Sequence, residues 1–63
     1  MDDTLELLMS QIEERRMTII ENLGDGSAKD FGGYKEAVGM VRGLLTAQSL
    51  IADLAKKMEN FDD

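Results

Sequence analysis

Leu23-Gly24-Asp25-Gly26-Ser27 is the stretch on which the reading of this chain turns. Gly24 suits the left-handed position just past a helix end, and Asp-Gly is turn chemistry. Ser27, with Asp30 three residues later, can cap a following helix. Alternatively Asp30 is itself the cap, and Gly32-Gly33 loosen the first turn. The turn is therefore expected over about residues 24–30, with a helix on either side.

Upstream, the spacing predicts a helix from about 4 to 23. Asp3 or Thr4 can cap it, and Asp2, Asp3 and Glu6 sit well at the positive end of its dipole. Its apolar residues are Leu5, Leu8, Met9, Ile12, Ile19, Ile20 and Leu23, at intervals of three, four and seven, which is one stripe of an amphipathic helix. Between Ile12 and Ile19 the inward positions belong to Arg15 and Arg16. Two readings apply to that pair. The long stems can cover apolar surface while the guanidinium groups reach water, Glu13 or Glu14. Or the planar groups, with Arg42, contact an anion or a carboxylate on a partner.

Downstream, a helix is expected from about 31 to 60, some 45 Å at about 1.5 Å per residue. Its inner stripe reads Tyr34, Ala37, Val38, Val41, Leu44, Leu45, Gln48, Ile51, Ala55 and Met58. A second face carries Met40, Ala47, Leu50, Leu54 and Phe61, and includes Gly39, Gly43 and Ala47 at intervals of four. Small residues so spaced let two helix backbones approach closely, yet each mid-helix glycine costs about 1 kcal/mol against Ala. The ridge therefore either seats the first helix or forms a contact between subunits. With both helices starting at the turn, Leu5 falls near Ile51. Leu54, Met58 and Phe61 then project without cover from within the chain. The helix-contact surface is expected at Gly39, Met40, Gly43, Ala47, Leu50, Leu54, Met58 and Phe61. Asp53 with Lys56 and Lys57 supplies solvated pairs on the outside.

The fold class that follows is all-α: an antiparallel two-helix hairpin forming one domain over 1–63, stabilised by oligomerisation or by a partner protein. A 63-residue chain buries too little surface to stand easily alone, and small scaffolds add disulfides, a metal or association. With no Cys and no His, disulfides and ordinary zinc sites are excluded, which leaves association. Hydrophobic residues make up 43%, a globular level. No apolar run approaches the roughly 20 residues that cross a bilayer, so no membrane is expected. The acidic start Met1-Asp2-Asp3-Thr4 is the opposite of the basic start of a signal peptide.

Thirteen acidic residues against seven basic give a net charge of −6, which repels phosphates and argues against a nucleic-acid partner. A DNA mimic would need denser acidity of one sign. Catalysis has no His or Cys to work with, and Ser10, Ser27 and Ser49 have no adjacent base, so no enzyme and no cofactor are expected. A carboxylate metal site would have to be built from several subunits. Asp25-Gly26-Ser27 is too short for a calcium loop, Asp30-Phe31-Gly32 matches a kinase metal motif by letters only, and the glycines follow no strand.

From Tyr34 to Leu54 the chain resembles short helical-hairpin proteins encoded by tailed bacteriophages. Their pattern is Tyr-x4-Gly-x3-Gly-Leu-x2-Ala-x3-Ile-x-Asp-Leu, after an acidic helix and a polar turn. Tyr34, Gly39, Gly43, Leu44, Ala47, Ile51, Asp53 and Leu54 carry the match, over about a third of the chain. The resemblance implies phage origin and no assigned activity. Two functions are expected from it and from the two-faced helix. One is a virion or assembly component, binding side by side to itself or to a larger head, portal or tail protein. The other is a small phage-encoded regulator or anti-defence inhibitor, which binds a host protein or sequesters a small charged ligand. The location is the virion or the host-cell cytoplasm.

Overall fold

A computed structural model describes residues 2–61, with side chains through Glu59. Two α-helices account for nearly all of it: α1 (Asp3–Gly24) and α2 (Phe31–Phe61). They fold back on one another as an all-α hairpin, 51 Å long and 17 by 11 Å across. The expected boundaries hold to within a residue at each end.

The caps differ in detail from expectation. Asp2, rather than Asp3 or Thr4, starts α1: its Oδ1 accepts from the Thr4 amide at 2.7 Å and from the Leu5 amide at 3.3 Å. That satisfies two amides that a helix start leaves without partners. At the far end Gly24 is still helical and Asp25 closes the helix. Gly26, at φ 82°, takes the left-handed conformation expected of Gly24. The Ser27 amide reaches back to the Asn22 carbonyl at 3.0 Å, so this amide closes α1, while Asp30 caps the next helix. Asp30 Oδ1 accepts from the Gly33 amide at 2.8 Å, and its carbonyl from the Tyr34 amide at 3.1 Å.

Between the helices, Leu5, Met9, Ile12, Ile19 and Leu23 meet Ala37, Val38, Val41, Leu44 and Ile51, all of them half-buried. Ala55, 6% exposed, is the one buried residue among those described. Several members of the expected stripes stay outside. Leu8 and Ile20 on α1, and Tyr34, Leu45 and Met58 on α2, are exposed. Tyr34 instead stacks on the Phe31 ring, with centroids 6.3 Å apart, and Lys35 Nζ lies 5.5 Å from the same ring.

One cross-helix bond sets the register. Gln48 Nε2 donates to Glu13 Oε2 at 2.9 Å. Counting outward from that contact brings Leu5 close to Ala55, not to Ile51, and explains why Ala55 is buried. Leu54 and Met58 therefore do not project past α1. The unmatched length of α2 lies at the turn, where Phe31 is 71% exposed. The reason is that residues 25–30 climb beside the first turn of α2 instead of reversing tightly: Ala28 is half-buried, and a Cβ added at Gly33 would lie 3.9 Å from its Cα.

Candidate functional site

Of the two readings of the arginine pair, Arg16 follows the first, its guanidinium reaching Glu13. Arg16 turns inward, and its Nη2 donates to both carboxylate oxygens of Glu13 at 2.6 Å. With Gln48 this makes a three-residue polar clasp between the helices, in the gap that the Ile12–Ile19 interval leaves in the apolar stripe. Arg16 Nε is enclosed with no hydrogen-bond partner among the described residues. The Arg16 hydrogen bond, and after it that of Gln48, holds the Glu13 carboxyl below the usual carboxylate range, against the opposing effect of burial. Arg16 is thus occupied by the hairpin itself. Arg15 is exposed and lines a shallow groove with Leu8, Ile12, Met40 and Leu44, of which Arg42 is no part.

The outer face of α2 is a different surface. Met40, Leu50 and Leu54 are exposed there, Leu50 by 64%, and Met58 is exposed further along. Ala47, half-buried, stands where this face meets the inner one. The contacts of the Phe61 side chain lie outside the described residues. Gly39 and Gly43 bear on the first of the two expected roles of the small-residue ridge. A Cβ built on either meets nothing within 4 Å, so neither glycine seats α1. Each still carries its helix-interior cost of about 1 kcal/mol against Ala, without a use inside the hairpin.

The charges bordering this face are also uncommitted. Among the described residues Glu36, Arg42, Asp53 and Lys57 form no ion pair, so the expected pairing of Asp53 with Lys56 and Lys57 is not made. No group of three acidic side chains lies close enough to hold a metal ion among the described residues.

The chain matches no family model, no curated protein and no solved structure. The fold and its surfaces are what bear on function.

One property departs from the sequence reading. By length and composition, α2 over 31–59 is apolar enough to cross a membrane, with a mean hydropathy of 1.2 over 18 residues, none of them buried. Arg42, Gln48 and Asp53 stand within that helix, and α1 lays Glu13, Glu14, Arg15 and Arg16 along its middle. Ionised groups at the centre of a bilayer are expensive, and here they would lie on both helices of a packed pair.

Sequence reasoning missed the Glu13–Arg16–Gln48 clasp as a unit. The signal was present: a polar Gln on the inner stripe of α2, and an Arg in the stripe of α1 three residues after a Glu. What the sequence lacks is the register that brings Gln48 to Glu13.

Proposed function

We propose that this chain is a non-enzymatic assembly protein of bacteriophage type, a small helical hairpin that binds side by side to itself or to a larger virion protein such as a head, portal or tail component. The observation that carries this reading is burial. Among the described residues, a hairpin of two long helices encloses one, Ala55, and leaves Met40, Leu50, Leu54 and Met58 in water along one helix. Small chains close that deficit by association. Exposed apolar surface of this extent on a short chain marks a protein contact. The phage assignment rests on the Tyr34–Leu54 resemblance.

The groove beside Arg15 favours a second reading, a phage-encoded regulator that binds a host protein or sequesters a small charged ligand. The two readings part on one experiment. Particles purified from an infection that expresses the tagged chain should contain it in fixed copy number if it is an assembly protein. Early expression and absence from particles would instead select the regulator. Light scattering and circular dichroism of the purified chain test the premise that the two share: a helical oligomer, or a poorly helical monomer that gains helicity on its partner. A fully helical, stable monomer would overturn it.

A further inference from the structure

The outer face of α2 is complementary to itself when read backwards. In an antiparallel pair of helices, positions equidistant from the centre come opposite one another. With the centre beside Ala47, Met40 falls opposite Leu54 of a second copy. Gly43 falls against Leu50–Ile51. Arg42 comes within a residue of Asp53, and Glu36 within a residue of Lys57. Met40 meets Leu54, and Arg42 and Glu36 each come beside an opposite charge, twice over because the arrangement is two-fold, while Met58 falls level with Glu36 at the ends of the contact.

We infer that the occupant of this face is a second copy of the chain, its α2 packed antiparallel on a two-fold axis beside Ala47, in a four-helix dimer. This rests on the assembly reading above and names the partner. Three independent features agree on it. The glycines acquire a use, since the Leu50 side chain of each copy stands over the hollow that Gly43 of the other leaves, where a Cβ now meets only open space. Arg42 and Asp53, in no ion pair among the described residues, flank the face on the same side of α2, which a two-fold axis lying across the helices preserves. Met40 lies both on this face and in the groove beside Leu44, so that the added helix would extend the existing packing rather than begin a separate one. A parallel pairing would set each residue level with its own copy and so lose the alternation of charge. An isologous contact of this kind closes on itself and gives a discrete species.

Charge exchange in the full chain tests it. Arg42→Glu and Asp53→Lys each place like charges opposite one another twice in a homodimer, and each should raise the dissociation constant about tenfold. Mixed in equal amounts, the two variants should pair with each other to within about threefold of the parent, because both crossings are then attractive. The chain has no cysteine, so Ala47→Cys should form a disulfide-linked dimer under mild oxidation while Gly39→Cys, away from the axis, should not. A mixture as weak as the single variants, or equal cross-linking at both positions, overturns the antiparallel register. A parent chain that is monomeric and gains helicity only on a virion protein overturns the second copy but leaves the assembly reading standing. A stable helical monomer absent from particles overturns both.

Discussion

The inner and outer faces of α2 are made of comparable apolar residues and have opposite fates. The inner face sets Ala37, Val38, Val41, Leu44, Ile51 and Ala55 against α1, with Gln48 bonded across to Glu13. The outer face sets Met40, Leu50 and Leu54 in water, beside two glycines whose missing side chains nothing inside the hairpin occupies. The difference is instructive because hydrophobicity does not explain it. The inner face has a partner tethered to it by a six-residue turn, so its contacts form at high effective concentration. The outer face has no tethered partner, and whatever covers it must arrive as another molecule.

The strongest way to break the comparison is to charge each face in turn. Ala55→Asp puts a carboxylate into the one position buried among the described residues, at a cost of about 3 kcal/mol or more. It should remove most of the helical circular dichroism at any protein concentration. Retained helicity would mean that the inner face is not what holds the hairpin. Leu50→Asp on the outer face should leave the tethered contacts intact but weaken association by about 2 kcal/mol, read as a fall in mass by light scattering. If mass is unchanged, the outer face is not an interface.

Gly43 sharpens the contrast, because the two faces demand opposite responses from it. Gly43→Ala in a free helix should gain about 1 kcal/mol, since the added methyl meets open space. Gly43→Leu, too large for a close approach, should lower assembly while leaving an isolated hairpin helical. Parental assembly by the Leu variant would show that the ridge is not a contact. At the turn, Gly26→Ala forces a side chain into the left-handed conformation and should cost about 1 kcal/mol, seen as a lower melting temperature.

The smallest effect belongs to the polar clasp on the inner face. The carboxyl of Glu13 is held below its ordinary range in the folded chain, so its contribution is fully present above the ordinary carboxylate pKa and is lost as pH falls through the depressed value. Thermal melts across the acidic range should show this slope, and Glu13→Gln should flatten part of it. Melts of parent and variant that run parallel would assign the acid sensitivity to other carboxylates.

Much of this was legible in the residues. The 3.6-residue period of the apolar positions and the glycine-rich interruption between them specify two helices and a turn, and Asp30 ahead of Gly32-Gly33 was one of two caps that local chemistry allowed. Gly24 and Gly26 could not be told apart, because either can take a positive φ and only the placement of the last helical bond chooses between them. The Arg15-Arg16 pair was legible as an interruption, but not as one residue turned in and one left out. Helical positions differ by 100° per residue, so which of two adjacent arginines turns inward depends on the direction from which the neighbouring helix approaches.

By itself, then, the sequence determined the elements, the two apolar faces of α2 and the absence of His and Cys, since all of these depend on residue type and short-range spacing. Tertiary structure alone decided the register that brings Gln48 to Glu13 and covers Ala55, and it alone excluded α1 as the reason for Gly39 and Gly43. Register is a long-range property: the path taken by residues 25–30 sets how far one helix slides along the other, and no local pattern in either helix encodes that displacement.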